Sequence, residues 1–196
     1  MAIYLLFIQH IIYSLSNTGK AAVVVPTGFI TAQSGIEKTI RQQLVERGWL
    51  RGVVSMPSNI FASTGTNVSV LFIDKEADNK HIVLVDASKL GDTIKEGKNQ
   101  RTVLKPAEEQ RIITAMNEKR AEEDFSVVIA AEEIRNKNYS FSAGQYFEVK
   151  IEYVDITAKQ FAEKINAYQD NLQGYFSEGL NLEKQILEQL NSLSYE

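Results

Sequence analysis

The sequence predicts an α/β fold followed by a helical C-terminal extension. Three observations carry this. Short apolar runs at Val23–Val25 and Val53–Val54 flank a segment with helical periodicity, the pattern of strand, crossover helix and strand. The run Val68–Ile73 is β-branched and nearly continuous in apolar character, which suits a strand covered on both faces. In the last forty or so residues, Phe161, Ile165, Tyr168 and Leu172, then Leu182, Ile186, Leu190 and Leu193, recur at helical spacing. Residues 1–120 therefore read as a partial α/β domain, 121–154 as an irregular connecting segment, and 155–196 as a helical tail.

The elements follow in order. Ile3, Phe7, Ile8, Ile11, Ile12 and Leu15 form a helical stripe, read as a buried helix that Asn17-Thr-Gly19 ends with a glycine-type cap. Lys20–Val25 is a short strand that Pro26 closes. Ser34 and Glu37 have capping-box spacing for a helix over Gly35–Arg47, with Ile36, Ile40 and Leu44 inward and Gly48 as the stop. That helix predicts parallel pairing of the strands around Val24 and Val54. The loop before Val68 is too short for a helical crossover, so Val68–Ile73 is expected to run antiparallel to its neighbours. Asp74–Lys80 is a charged turn, and His81–Val85 a short strand expected at a sheet edge. Ser88–Lys105 is polar and cationic, and the stretch Lys89–Arg111 reads either as a solvated loop or as a track for phosphates. Pro106 sits at a favoured first helical position, opening a helix to about Arg120 with Ile112, Ile113 and Met116 inward. Phe125–Ile129 reads as a strand, Ala131–Arg135 as a helical turn, and Asn136–Tyr146 as an irregular aromatic segment. The tail is either one long amphipathic helix or two helices broken at Gly174 and Gly179.

Composition bounds the chemistry. The chain carries a net charge of −4, so any nucleic-acid contact must come from a local patch or a partner. It has no cysteine, which removes disulfides, thiol nucleophiles and thiolate metal sites. Its histidines, His10 and His81, are far apart in sequence, so no metal site is expected. The apolar N-terminal run is interrupted by Gln9 and His10 and is too short to span a bilayer. A cytoplasmic location without membrane attachment is the expectation. No G-x-G loop, Gly-Lys-Ser/Thr loop or G-x-S-x-G elbow is present.

The polar loop between Val54 and Val68 is the richest candidate for function. It carries Ser, Thr, Gly and Asn and one large aromatic, Phe61. Phe61 either offers a stacking face or plugs the end of the sheet. Thr64, Thr66 and Asn67 either donate to a ligand or make the turn. Pro26-Thr-Gly28 either lines the same cleft or forms a tight turn.

Several stretches together carry a resemblance. They are Gly19-Lys-Ala-Ala-Val-Val-Val-Pro-Thr-Gly-Phe29, Ile36-Glu-Lys-Thr-Ile-Arg-Gln-Gln-Leu44, Leu50-Arg-Gly-Val-Val-Ser-Met-Pro-Ser-Asn-Ile-Phe61 and Thr64-Gly-Thr-Asn-Val-Ser-Val-Leu-Phe-Ile-Asp74. In order and spacing they resemble the later motifs of adenine-N6 DNA methyltransferases, in particular the modification (M) subunit of type I restriction–modification systems. Glu133–Tyr146 is similar to the segment after that family's catalytic domain. The resemblance implies the C-terminal half of a methyltransferase-like, Rossmann-type sheet with an antiparallel strand. It implies methyl transfer from S-adenosylmethionine to adenine in DNA, and partnership with a DNA-specificity subunit and a restriction subunit, the C-terminal helices docking the former. The family's Gly-rich donor loop and its Asn-Pro-Pro-aromatic motif have no counterpart here. The chain therefore resembles a C-terminal fragment, expected to be inactive alone and to hold no S-adenosylmethionine, with no catalytic, cofactor-binding or metal-binding residue assigned. The alternative is a non-catalytic assembly module. By the resemblance, Phe61, Pro26, Thr64 and Asn67 would face a flipped base. Lys95, Lys98 and Arg101 would meet the DNA backbone.

Overall fold

The computed structural model describes residues 2–61, 65–76, 80–96, 99–148 and 156–192. The chain divides into two compact units, Met1–Glu148 and Val149–Glu196. In the first, helix α1 (Ile3–Ser14) leads into strand β1 (Lys20–Pro26). The short helix α2 (Thr27–Thr31) and helix α3 (Gly35–Glu46) carry the chain to β2 (Leu50–Ser55). β3 (Val68–Asp74) and β4 (His81–Asp86) follow, then a hairpin of β5 (Asp92–Glu96) and β6 (Asn99–Val103). Helix α4 (Pro106–Glu118), β7 (Ser126–Ala130), α5 (Ala131–Asn136) and a 3-10 turn at Ala143–Gln145 complete it. The fold class is as the sequence predicts: a mixed Rossmann-like α/β sheet and a long C-terminal helix.

The main sheet has the order β1-β3-β2-β4-β7. β3 runs antiparallel to both β1 and β2, as the short preceding loop requires. β2 and β4 are parallel, and β4 and β7 antiparallel. Two expectations fail. β1 and β2 point the same way but do not pair, because β3 inserts between them. A helical crossover fixes strand direction, not adjacency. His81–Val85 lies inside the sheet, between β2 and β7, rather than at an edge. The strand that covers it, β7, comes from much later in the chain.

Register divides the side chains into two faces. One face carries the row Val23–Leu71–Val53–Leu84–Val127. It packs with Leu5 and Ile8 of α1, Phe29 and Ile30 of α2, Ile40 and Leu44 of α3, Ile134 of α5, and Phe141 into the larger core. The other face carries the row Val24–Val70–Val54–Val85. There Val54, Val83 and Val85 meet Ala115 and Met116 of α4, and Phe125. Gly52 lets α4 approach: a Cβ there would meet the Val83 carbonyl oxygen at 2.4 Å and Met116 Cε at 2.9 Å. Each large side chain fully buried in these cores contributes roughly 1.5–3 kcal/mol.

Local chemistry departs from expectation at the helix ends. Ser34 is extended but makes no side-chain cap on α3, and Glu37 instead accepts from the Tyr4 hydroxyl at 3.5 Å. α1 ends as Leu15 turns extended, and the Lys75 ammonium donates to the carbonyls of Ile12 (2.6 Å) and Leu15 (3.0 Å), taking the place of the expected glycine cap. Gly48, by contrast, does end α3 with φ at 66°. α1 is not wholly buried: Leu5 and Ile8 are, while Ile3, Leu6, Phe7 and Tyr13 are exposed. Ile113, expected inward, is half exposed. Pro26-Thr-Gly28 opens α2 rather than forming a tight turn. The cationic segment Ser88–Lys105 contains the β5–β6 hairpin rather than being a loop.

In the second unit, α6 (Ala158–Asn191) is a single helix of 34 residues, continuous through Gly174 and Gly179. Thr157 Oγ1 accepts from Gln160 N at 3.3 Å, and Gln160 Oε1 accepts from Thr157 N at 2.9 Å, a reciprocal cap. Phe161, Ile165, Tyr168, Leu172, Ile186 and Leu190 stay exposed, and no residue of α6 is buried. Leu193 lies outside the described residues. No described helix is long and apolar enough to cross a membrane.

Candidate nucleic-acid interface

Because β1, β2 and β4 run the same way, their C-terminal ends meet at one end of the sheet, beside the start of β3. α/β sheets generally place ligands at that end. Three segments converge there, and backbone hydrogen bonds hold them. Thr27 binds the Asn67 carbonyl twice, through its amide (3.3 Å) and its hydroxyl (2.9 Å). The Met56 amide donates to the Val68 carbonyl at 2.9 Å, and the Ala87 amide to the Ser55 carbonyl at 2.9 Å. Ser69, in the last full row of this end, has a buried side-chain oxygen without a hydrogen-bond partner among the described residues.

The β5–β6 hairpin braces the loop after β2. Thr102, buried on β6, donates from its hydroxyl to the Ser58 carbonyl at 2.7 Å. Its amide donates to the Asn59 carbonyl at 2.9 Å. Asn59 has φ at 55°, a left-handed conformation that asparagine tolerates better than most residues, and it turns the chain. Phe61 follows, 49% exposed. The large aromatic thus follows the braced Ser58–Asn59 turn, at the end of the sheet where β1, β2 and β4 terminate. At the hairpin base, the backbone amides of Lys105 (2.7 Å) and Gly91 (3.2 Å) bind the Glu108 carboxylate and hold it below the usual carboxylate range.

The structure brings Phe61, Pro26 and Asn67 to the same end of the sheet. Pro26 ends β1 opposite Val68 and is half-buried, while Asn67 is exposed and contributes its carbonyl to Thr27. Thr64 and Lys98 lie outside the described residues. Lys95 and Arg101 are both exposed on the hairpin. Lys95 sits opposite Gln100, and Arg101 opposite Ile94, so the two project from opposite faces. Lys105 pairs with Asp92 at 2.9 Å. Sequence reasoning placed Thr27 only within the Pro26-Thr-Gly28 stretch and missed Thr102; the anchoring role of both came from the structure. β-branched pairs flanking Gly97, Thr93-Ile94 before it and Thr102-Val103 after it, are the hairpin signal that was available.

Comparison with known proteins fits this architecture. The N-6 DNA methylase family matches residues 2–154. The chain belongs to that family. It is 32% identical over 167 residues to the type I restriction enzyme MpnII methylase subunit of Mycoplasma pneumoniae, covering 85% of this chain and 30% of that protein. The HindI methylase subunit of Haemophilus influenzae is 24% identical over 194 residues, covering 97% of this chain and 43% of that protein. Among solved structures, a type I restriction-modification methyltransferase subunit from Streptococcus thermophilus matches with a TM-score of 0.66 and 29% identity, over 76% of this chain and 31% of that one. This N-6 DNA methylase family member thus spans well under half the length of these relatives.

Proposed function

We propose that this chain forms one wall of the base-binding cleft of a type I DNA adenine-N6 methyltransferase. The observation that carries the reading is Phe61, half exposed on a loop braced by Thr102 at the C-terminal ends of the parallel strands. A target base must leave the duplex stack and be held on apolar faces. Pro26 and the Gly65–Asn67 turn border the same end of the sheet.

The residues present do not fit S-adenosylmethionine: among the described residues no Gly-rich turn joins a strand to a helix, and a Cβ at Gly28, the glycine just after β1, would meet nothing within 4 Å. The methyl donor would be held by residues outside this chain. In this reading the chain alone transfers no methyl group.

The test replaces the matched region of the Mycoplasma pneumoniae methylase subunit with this chain and follows labelled methyl transfer to DNA in the presence of a specificity subunit. Stacking on an aromatic ring is worth roughly 1–3 kcal/mol, so Phe61→Ala is expected to lower kcat/KM by about 5- to 150-fold. Phe61→Tyr is expected to keep most of it. Equal activity in Phe61→Ala overturns the reading.

A second role rests on a different observation, the exposed apolar stripe of α6. A long amphipathic helix with no buried residue suits docking against partner helices, here a DNA-specificity subunit. Removal of residues 156–196 is expected to abolish capture of that subunit, and retained capture sinks the docking role.

A further inference from the structure

The inner face of α3 holds one residue that hydrophobic spacing does not explain. Ile40 and Leu44 are buried there, and so is Arg41, with no exposure at all. Burial pulls its pKa down to about 10, so the guanidinium is still charged at neutral pH. Among the described residues its hydrogen bonds go to carbonyls and not to a carboxylate. Nε donates to Tyr139 at 2.7 Å, Nη1 to Phe29 and Nη2 to Ala32. The guanidinium lies 5.9 Å from the ring centre of Phe29 and 5.7 Å from that of Phe141. A buried charge is costly unless it is well hydrogen-bonded, so the three carbonyls decide what this one does.

Two of them belong to the end of α2. A helix of five residues is too short to persist alone, and its last carbonyls lack partners within the helix. Arg41 serves Phe29 and Ala32, and the Phe141 amide serves the Ile30 carbonyl at 3.0 Å. The segment that brings Phe141 is held by the same side chain. Asn138 and Tyr139 have φ of 55° and 57°, left-handed values that are costly for a tyrosine. Arg41 fastens the Tyr139 carbonyl, and the Tyr139 hydroxyl donates to Glu46 at 2.7 Å. At its other end α2 begins with Thr27, whose amide and hydroxyl both bind the Asn67 carbonyl. A chain of bonds therefore runs from Arg41 through α2 to the turn before β3.

We infer that Arg41 is a positioning residue for the base-binding cleft. It is buried and meets no substrate itself. It sets α2 against the Tyr139–Phe141 segment, and α2 sets Thr27, and with it Pro26 and Asn67, at the end of the sheet where β1, β2 and β4 terminate. The inference rests on the base-cleft reading above.

The test uses Arg41→Lys, which keeps the charge but presents every donor from one nitrogen. In the full chain the Thr27 and Phe141 amides are expected to exchange at least about tenfold faster, an increase not matched in the β2–β4 pairing. In the chimaera described above, kcat/KM for DNA is expected to fall at least about tenfold, with KM for S-adenosylmethionine unchanged. With 2-aminopurine at the target position, the fluorescence rise that reports an unstacked base is expected to shrink as well. Leu44→Ala is the structural control. It empties buried volume on the same helix but serves no carbonyl of α2, so it is expected to lower stability with the fluorescence rise intact. Thr27→Val cuts the link at its other end and spares the core, so it tests the link even where Arg41→Lys does not fold. It is expected to lower kcat/KM for DNA, and the double variant is expected to be no worse than Arg41→Lys. The inference is overturned by an equal loss of fluorescence in Leu44→Ala, by unaltered transfer in Thr27→Val, by additive losses in the double variant, or by unchanged Thr27 exchange. Transfer that ignores Phe61→Ala removes the cleft reading and this inference with it. Phe61-dependent transfer that ignores Arg41→Lys removes this inference alone.

Discussion

The faces beside the two end strands of the sheet are covered to different degrees. At the β7 edge the chain turns directly into α5, which packs on α3. Arg135 there grips Glu46 with both nitrogens, at 2.8 and 2.9 Å, and the Tyr139 hydroxyl adds a third bond at 2.7 Å. Arg41 is buried beneath the same segment, donating to the carbonyls of Phe29, Ala32 and Tyr139 between the rings of Phe29 and Phe141. β7 is an end strand like β1, but beside β1 no described helix covers Val24, which is 50% exposed. The chain's own helix covers the sheet face near one end strand, and near the other an apolar strip stays half exposed among the described residues. The difference teaches that apolar residues alone do not make a finished core. A covering element must reach them.

The largest effect expected from this contrast is in packing. Leu71, fully buried in the interior strand β3, is expected to cost roughly 2–5 kcal/mol when changed to alanine. Val24→Ala on β1 is expected to stay within about 0.5 kcal/mol. Urea denaturation of both variants checks this, and a Val24 cost near that of Leu71 would break the contrast.

A smaller effect is expected at the loop that presents Phe61. Thr102→Val keeps shape but loses the bond to Ser58, at a cost of about 1 kcal/mol. Hydrogen exchange at residues 58–61 is expected to quicken while the β4–β7 pairing is unaffected. Equal exchange at both would show that the hairpin does not brace the loop.

The smallest effect is electrostatic and belongs to the β7 side. Hydrogen bonds from Arg135 and then Tyr139 hold the Glu46 carboxyl at about 2, below its ordinary 4.5. A depressed carboxyl favours the folded state above its unfolded pKa, and the contribution is lost as pH falls through the folded value. Thermal stability is therefore expected to decline from about pH 4.5 toward 2, with a shallower decline in Glu46→Gln. The pair is solvent-exposed, so the difference should shrink in high salt.

Much of this was legible in advance. The antiparallel run of β3 follows from a loop too short for a crossover, and Phe61 stands out as a lone aromatic in a polar loop. The anchors of that loop were not legible. Thr27 and Thr102 bind carbonyls forty and forty-four positions away, and no local pattern marks a threonine as a long-range donor. Neither was the capping of α1 by Lys75, sixty positions beyond Leu15.

By itself the sequence determined most element types and the family, but not the β5–β6 hairpin or helix α2. Periodicity, β-branching and punctuation by Gly and Pro are local properties, and the motif order is a linear one. Only the tertiary structure decided adjacency: that β3 separates β1 from β2, that β4 is internal, and that β1 is an end strand. These depend on which strands satisfy one another's backbone groups, a choice made between segments distant in the chain. The same choice covers the sheet face near β7 with the chain's own helix and leaves Val24 near β1 half exposed among the described residues.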